Sequence, residues 1–362
     1  MSDAKVARLR GGLSIGLDSR TIEYAARSSC QRYRVMAASG AGAKAIGQAI
    51  GYQMPPVSRV AENLGMLFEN RVYEDQASVL RSCYVVDAPS VEETVDVRIL
   101  VSTNANEHTH KSRAASAEII QEETRRYVTK RIETGDGKRL IIGPRLEFPT
   151  PGGVAHAMPD FLVVPKGSKR FRVGEVKSYL DLGSRTDPNE IGTAVRQAAV
   201  SVIAFQLAFG EEWVEDKVDI VFRESSKRGA SVHTMDASIE VASIKEFLDS
   251  TMPEEAGAAA ALLGGAPLTD VEALQAIPHR WEPSCIQHCP LEPLCHERAA
   301  AADSLELLGP SASAMLEGLS SLSRVRDLAV GRASTDTVDE ERVTGDLRLG
   351  WMASAMLEGD GR

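Results

Sequence analysis

The sequence predicts an α/β fold in which a central mixed β-sheet is flanked by helices. Two β-rich runs, at residues 160–164 and 171–180, surround a turn of six residues. A long apolar segment with helical character follows from Pro188 to Phe209, and residues 213–224 then return to a β-rich pattern. Strand and helix patterns that alternate in this way predict a sheet covered by helices rather than an all-helical or all-β protein.

Two helices are expected before the sheet. The stretch LDSRTIEYAARSSCQRYRV reads as the first, with Asp18 or Ser19 as its N-cap and Cys30 inside it. The stretch PPVSRVAENLGMLFENRVYEDQA reads as the second, because Pro56 suits a first helical turn and apolar residues recur at helical spacing. These apolar residues are Val57, Val60, Leu64, Phe68 and Val72.

The remaining segments follow the same two patterns. Residues 92–102, the run RLIIG and residues 230–237 are predicted as further strands, and residues 111–133 as a charged helix. The Ala- and Gly-rich segment 256–266 is expected to be a linker or a loose helix.

We divide the chain into five regions by these patterns. They are an N-terminal helical region at 1–75, an expected insertion at 76–156, a core with the hairpin at 157–250, a linker with three cysteines at 251–299, and an acidic helical tail at 300–362.

Charge and hydropathy exclude several classes of protein. The 362 residues carry a formal net charge of −10, which argues against non-specific coating of nucleic acid but allows a local basic groove. The longest apolar run, AAVSVIAFQLAFG, contains Ser201 and Gln206, so a buried helix is expected rather than a membrane span. No apolar stretch follows the charged N-terminus, so we expect no signal peptide and predict a cytoplasmic protein.

Cysteines are concentrated in one short segment. Three of the five in the chain, Cys285, Cys289 and Cys295, lie in the sequence PSCIQHCPLEPLCHERA. In the cytoplasm such a group indicates metal or redox chemistry before disulfides. Two interpretations remain open here: a metal or iron–sulfur site, or thiols that share a loop by chance.

The hairpin at 160–180 brings charged residues together. If Val164 pairs with Phe171, Asp160 lies opposite Glu175, and the period of two places Lys177 on the same face. Two carboxylates about 5 Å apart repel by roughly 3 kcal/mol at an effective dielectric of about 20, so a compensating cation is expected. A hard divalent metal would supply it, and Lys177 could orient a water or offset charge on a phosphoryl group.

These residue types therefore suggest metal-dependent phosphodiester hydrolysis. A simpler interpretation is also open. Asp160 could start a strand beside a turn, and Glu175 and Lys177 could form an exposed pair on a sheet edge.

The segment PD…EVK resembles the motif of the PD-(D/E)xK nuclease superfamily, whose restriction-endonuclease-like core is a mixed sheet flanked by helices. The early Cys30 and the downstream CPLEPLC are similar to the iron–sulfur branch of the RecB-like nucleases, which includes AddB-type nuclease domains and the CRISPR-adaptation exonuclease. In that branch, four cysteines hold a [4Fe–4S] cluster that ties the N-terminal helix to the segment after the nuclease core.

The resemblance implies a role for particular residues. The cluster ligands would be Cys30, Cys285, Cys289 and Cys295. Mg²⁺ or Mn²⁺ would be held by Glu69, Asp160, Glu175 and the carbonyl of Val176. Lys177 would be the catalytic lysine, and Gln197 would position a phosphate or Lys177.

The chain departs from the family pattern at three places. Glu69 replaces a histidine that is common in the closest relatives, and Ser201 stands where a tyrosine is usual, with the next aromatic at Phe205. Three residues rather than two separate Cys285 from Cys289. Zinc is the alternative metal, because four thiolates satisfy its tetrahedral site and His288 or His296 could replace one of them.

The implied function is a metal-dependent DNA exonuclease on single-stranded ends, in repair, recombination or antiviral defence, with possible protein partners. One alternative is a non-catalytic DNA-binding or assembly subunit with an iron–sulfur or zinc staple, and another is a zinc-stapled scaffold whose acidic tail recruits a partner. Candidate phosphate contacts are Arg27, Arg32, Arg34, Lys166, Lys169, Arg170, Arg185 and Arg196. Candidate base-stacking residues are Tyr24, Tyr33 and Tyr179.

Overall fold

The computed structural model describes residues 3–14, 16–53, 59–84, 88–98, 110–181, 187–224, 229–316 and 318–359. Within these ranges the helices are α1 Asp3–Arg10, α2 Ser19–Arg27, α3 Gln31–Ala38, α4 Gly42–Ala49, α5 Arg59–Cys83, α6 His110–Thr134, α7 Pro188–Phe209, α8 Ser238–Glu246, α9 Met252–Leu262, α10 Val271–Ala276, α11 Cys285–His288, α12 Glu292–Ala301, α13 Pro310–Met315, α14 Leu322–Ala329 and α15 Val338–Gly359. The strands are β1 Leu17–Asp18, β2 Thr94–Asp96, β3 Leu140–Ile142, β4 Leu146–Thr150, β5 Gly153–Ala157, β6 Phe161–Val163, β7 Phe171–Asp181, β8 Val214–Glu224 and β9 Ala230–Asp236.

The described strands form two sheets. The larger has the order β2-β3-β6-β7-β8-β9, and the smaller has the order β1-β5-β4. In the larger sheet β2 and β3 are parallel, as are β7 and β8, whereas the other neighbouring pairs are antiparallel. The prediction of an α/β fold with a central mixed sheet and flanking helices is therefore confirmed.

The hairpin of β6 and β7 has the predicted register. Leu162 pairs with Val173, and Phe161 pairs with Gly174. Leu162 and Val173 belong to the main apolar core, whereas Phe161 belongs to a second core on the other face. The alternation of side chains thus places the predicted apolar face against the helices of the main core.

Gly174 allows the two strands to keep this register. A β-carbon at this position would lie 2.0 Å from the ring carbon Cζ of Phe161, so the aromatic ring occupies the space that a side chain would need. The glycine comes directly before Glu175, and its close contact with Phe161 therefore fixes the strand at the charged end of the hairpin.

Helix α7 joins the parallel strands β7 and β8 and covers one face of the sheet, with the bounds that the sequence predicts. Asp187 Oδ1 accepts a hydrogen bond from Asn189 N at 2.9 Å, Pro188 occupies the first turn, and Gly210 ends the helix with φ of 103°. Helix α7 is long and apolar enough to cross a membrane, but 61% of its most apolar stretch is buried inside the protein. It is a core helix, as expected for its run of buried alanine and valine.

The expectation of one continuous first helix is wrong. Helix α2 ends at Arg27, and α3 begins after Cys30. Ser28 has an extended backbone, and its Oγ accepts a hydrogen bond from Cys30 N at 3.1 Å. A serine side chain that bonds to a nearby N–H competes with the helix, so the break places Cys30 at the N-cap of α3.

Helix α5 differs from its prediction in two respects. Residues Asp75, Gln76 and Ala77 have positive φ, so the helix is interrupted near its middle. Phe68 and Val72 are buried as expected, but Leu64 is 44% exposed. Pro56 and Val57 lie outside the described residues, and the burial of Val60 is not described.

Residues 76–156, predicted as an insertion, contribute to both sheets. They provide β2 and β3 of the larger sheet and β4 and β5 of the smaller one. The predicted helix at 111–133 is confirmed as α6, while the predicted strand at 92–102 is described only as β2, because residues 99–109 lie outside the described ranges.

The C-terminal third is largely helical. The Ala- and Gly-rich segment forms helix α9, with Ala256 and Ala259 buried, so of the two expectations the structure shows the helix. The predicted helical tail has its own small core, formed by Leu316, Leu319 and Leu328.

Candidate functional site

Asp160, Glu175 and Lys177 meet at one end of the hairpin, and we call this group the acidic site. Asp160 comes directly before β6, and its Oδ2 accepts a hydrogen bond from Val176 N at 2.6 Å. Lys177 Nζ lies 3.0 Å from Glu175 Oε2. The geometry that the sequence predicted, with two acids and a lysine at a single place on the sheet, is therefore present.

Gln197 joins the acidic site from helix α7. Lys177 Nζ donates a hydrogen bond to Gln197 Oε1 at 2.8 Å, so the lysine is held between Glu175 and Gln197. Both the lysine and the glutamine are half-buried. The implied role of Gln197 as a residue that positions Lys177 thus has a direct contact to support it.

Burial and neighbouring charges shift the pKa values of Asp160 and Lys177 in the acidic site. Burial and the charge of Glu175 raise the pKa of Asp160 to about 7, although Lys177 opposes the rise. Burial alone would lower the pKa of Lys177, but the charges of Glu175 and Asp160 outweigh it and raise that pKa. At neutral pH the lysine is therefore an ammonium ion that can only donate hydrogen bonds.

Glu69 lies near the acidic site, on helix α5. Its charge contributes to the raised pKa of Asp160. The helix comes close to β7, since a β-carbon on Gly65 would lie 3.9 Å from Ser178 Oγ. The Glu69 side chain is 46% exposed and lies 3.6 Å from Arg98 Nη1, so the described arrangement pairs it with an arginine.

Val176 takes part through its main chain. Its N–H donates to Asp160, while its side chain packs in the second apolar core. The role of its carbonyl as a metal ligand stays a prediction.

Two residues at this site were missed by the sequence reasoning. Tyr73 OH donates to the Asp160 carbonyl at 3.4 Å, and its ring lies 4.3 Å from the guanidinium carbon of Arg98. Tyr73 follows Glu69 by one helical turn, so helical spacing could have predicted that the two side chains lie on the same side of α5. Arg98 follows a short strand far along the chain, and no spacing rule connects it to Glu69.

The four predicted cluster cysteines line one cavity, which we call the thiol cavity. Cys30 reaches it from the start of α3, Cys285 and Cys289 lie at the two ends of α11, and Cys295 lies on α12. Each cysteine is only 6–7% exposed. The fold therefore brings one cysteine from the N-terminal region together with three that follow the sheet in sequence, as the staple interpretation requires.

Hydrogen-bond donors point at two of these thiols. Tyr24 OH lies 3.7 Å from Cys285 Sγ, and Arg32 Nη1 donates to Cys295 Sγ at 3.3 Å. Burial raises the pKa of Cys285, of Cys289 and, to about 11, of Cys295. Thiols with raised pKa values are protonated at neutral pH unless a bound cation stabilises the thiolate.

Neither candidate histidine lines the thiol cavity. His288 stacks on Tyr24 with 4.4 Å between ring centroids, and His296 packs edge-on against Trp281. The fifth cysteine, Cys83, lies elsewhere, and its Sγ donates to the carbonyls of Val79 and Ala230. Among the cysteines and histidines considered as ligands, the four cysteines line the thiol cavity, and His288 and His296 do not.

Over the described ranges, no three or more His, Cys, Asp or Glu side chains are arranged to hold one metal ion. One zinc ion would need its thiolate sulfurs about 3.8 Å apart, given Zn–S bonds of about 2.3 Å and tetrahedral angles. A [4Fe–4S] cluster takes one thiolate on each of four irons, so its ligands stand farther apart. Thiolates are the type of donor that such a cluster takes, and carboxylate oxygens are the type that a hard divalent cation takes.

The predicted contacts with DNA phosphate stay predictions, although several of the arginines already have partners within the protein. Arg32 is buried, Arg27 and Arg196 both lie 2.8 Å from Glu23, and Arg34 pairs with Glu255. The side chains of Arg27, Arg34 and Arg196 remain 29–30% exposed.

The other predicted nucleic-acid contacts have mixed outcomes. Arg170 donates to the carbonyls of Glu211 and Val214, Lys169 is exposed, and Arg185 lies outside the described residues. The candidate stacking residues Tyr24 and Tyr33 are buried, and Tyr179 is half-buried. Phe205 also lies in the core. Exposed Arg20 was missed, and its charge acts on Lys177.

No protein-family model matches the sequence, and no curated protein matches it either.

Proposed function

We propose that the protein is a divalent-metal-dependent deoxyribonuclease, with a [4Fe–4S] cluster in the thiol cavity as a structural staple. The observation that carries the nuclease proposal is the contact of Lys177 with both Glu175 and Gln197, next to Asp160. Two carboxylates and an ammonium ion in one half-buried site are the groups that phosphodiester hydrolysis needs.

Asp160 and Glu175, with Glu69 from α5, would hold Mg²⁺ or Mn²⁺. The bound ion supplies Lewis acidity at the scissile phosphate and lowers the pKa of a coordinated water. For Glu69 to join, its side chain must leave Arg98, which lies 3.6 Å away. The partial exposure of Glu69 leaves room for this change.

Lys177 acts as a cation rather than as a general base. Its raised pKa keeps it protonated, so its Nζ donates to the attacking water or to a phosphate oxygen and offsets developing negative charge. Gln197 fixes the direction of Nζ through its Oε1 at 2.8 Å. Arg20, exposed on the first turn of α2 and close enough to act on Lys177, would contact a neighbouring phosphate of the DNA strand.

The substrate class follows from the resemblance in the motif: DNA with single-stranded ends, cut as an exonuclease, in repair, recombination or antiviral defence within the cytoplasm. Partners in a repair or defence complex belong to the same proposal.

The thiol staple would hold the N-terminal helices to the segment after the core. Its residues are Cys30, Cys285, Cys289 and Cys295, which are buried together although about 255 positions separate the first from the second along the chain. Its loss should destabilise the fold, because ligand binding by these thiolates is coupled to folding.

A non-catalytic DNA-binding or assembly subunit is the second candidate. It is favoured by the pairing of each acid in the described arrangement, Glu69 with Arg98, Asp160 with a main-chain N–H and Glu175 with Lys177. In that case the acidic site would be a structural ion-pair network.

The deciding experiment incubates anaerobically purified protein with end-labelled single-stranded and double-stranded DNA, in Mg²⁺, Mn²⁺ or a chelator. Asp160→Asn and Lys177→Ala should lower the rate by about 10²–10⁴-fold. Glu122→Ala and Lys217→Ala, which remove exposed charges on α6 and β8, are matched controls and should cut like the parent. Equal cutting by all five proteins, or none by the parent in any metal, would reject the nuclease proposal.

A further inference from the structure

Arg32 is an unusual residue in the wall of the thiol cavity. It lies on α3, two positions after Cys30, and it is 1% exposed. One of its terminal nitrogens, Nη1, donates to Cys295 Sγ at 3.3 Å. The other, Nη2, faces the carbonyls of Gln275 and Ile277 and the ring of His279, while Nε–H is buried without a partner.

The charge of Arg32 lacks a protein counter-charge. A guanidinium is always protonated, and a buried charge is costly unless it is paired. Across the described ranges no carboxylate forms an ion pair with Arg32, in contrast to Arg27, Arg34 and Arg196. The one carboxylate in the cavity wall, Glu292, accepts a hydrogen bond from Trp281 Nε1 at 3.0 Å.

We propose that Arg32 is a fifth residue of the cofactor site, whose buried positive charge balances a net negative, thiolate-bound iron–sulfur centre. The inference rests on the cluster in the proposed function. The four thiolates carry more negative charge than the iron–sulfide core carries positive charge, so the whole centre is negative. One-electron reduction makes it more negative. The contact with Cys295 Sγ places the guanidinium directly beside this charge.

A cation beside the cluster has a measurable consequence. It favours the more negative, reduced form, so it raises the reduction potential of the centre. Lysine would keep the charge and lose the planar fork, whereas glutamine would keep a donor and lose the charge. Arg34 lies on the same helix, pairs with Glu255 at 3.6 Å and does not line the cavity. A substitution that removes the charge of Arg34 is therefore the matched control.

The test uses the full chain, purified without oxygen as the parent, Arg32→Gln, Arg32→Lys and Arg34→Gln. Iron, acid-labile sulfide and zinc are counted for each protein, and the midpoint potential is measured by optical and spin-resonance titration with dithionite. At the parent midpoint, the ratio of reduced to oxidised cluster should fall at least tenfold in Arg32→Gln, which is about 59 mV for one electron. Arg32→Lys and Arg34→Gln should stay within about threefold of the parent.

If Arg32→Gln is recovered without iron, or is insoluble, Arg32→Lys decides the question. Iron retained by the lysine variant supports charge pairing, and iron lost from both overturns it. The inference is also overturned if the midpoint potential of Arg32→Gln equals that of the parent. It is likewise overturned if the parent contains zinc in place of iron. Failure of the parent to cut DNA would refute the nuclease proposal alone, because the potential is measured without substrate.

Discussion

The close contact between Gly174 and Phe161 predicts a measurable cost for one methyl group. In Gly174→Ala the new β-carbon would start 2.0 Å from Phe161 Cζ and 2.4 Å from Cε1. Carbon atoms in contact prefer about 3.5–4.0 Å, so the ring or the strand must move by more than about 1 Å. The ring is fully buried in the second core, and close packing of a protein interior resists such a movement.

Two opposing contributions set the size of this effect. Overpacking of a core costs about 1–3 kcal/mol, whereas replacing glycine reduces the entropy of the unfolded chain and stabilises by about 0.4–1 kcal/mol. The free energy of unfolding should therefore fall by about 1–2 kcal/mol in Gly174→Ala. Urea denaturation followed by far-ultraviolet circular dichroism measures this change.

A second substitution identifies the cause. Phe161→Leu removes the ring atoms that the methyl group would meet, so the double variant should be less unstable than the sum of the single variants by about 1 kcal/mol. Gly345→Ala is the matched control, because nothing lies within 4 Å of a β-carbon there and the helix should gain stability. A Gly174→Ala protein as stable as the parent, or strictly additive variants, would refute the packing argument.

Three further predictions concern the two sites and the tail. Gln197→Leu removes the acceptor of Lys177 and should lower kcat for DNA about tenfold with KM little changed, and an unaltered kcat would contradict the positioning role. Cys30→Ser should lose the cluster iron and lower Tm, whereas Cys83→Ser should keep the iron, and equal iron in both would contradict the staple. An arginine hydrogen bond lowers the pKa of Glu340 from 4.5 to about 2, so the stability it contributes is present above pH 4.5 and is lost as pH falls towards 2. Urea denaturation at pH 5 and pH 2.5 should show a smaller loss in Glu340→Gln than in the parent, and equal losses would contradict the pairing.

The hairpin was predictable from the sequence because its information is local. The period of two in residues 160–180 fixes which side chains share a face, and the short turn fixes the register that pairs Leu162 with Val173. The convergence of Asp160, Glu175 and Lys177 follows from that register alone. Helix α7 was predictable for the same reason, because its N-cap at Asp187 and its end at Gly210 are signals within the segment itself.

The errors arose where distant parts of the chain decide the outcome. Arg32 was expected to face solvent, but it is covered by residues 275–279 and by Cys295, which no local pattern reveals. The break after Arg27 depends on the Ser28 side chain, whose competing hydrogen bond is weaker as a sequence signal than the helical pattern around it. The pairing of Glu69 with Arg98 joins two segments that sequence spacing does not relate.

The thiol cavity also has a consequence for the order of events during synthesis. Cys30 and Cys285 are roughly 255 positions apart, so at about 5–20 residues per second the first thiol leaves the ribosome some 13–50 s before its nearest partner in the chain. By then the chain has been made past Asp236, where the last of the described strands ends. Any group held by all four sulfurs can therefore be bound only after the chain has been made through Cys295, and until that moment Cys30 depends on the reducing power of its surroundings.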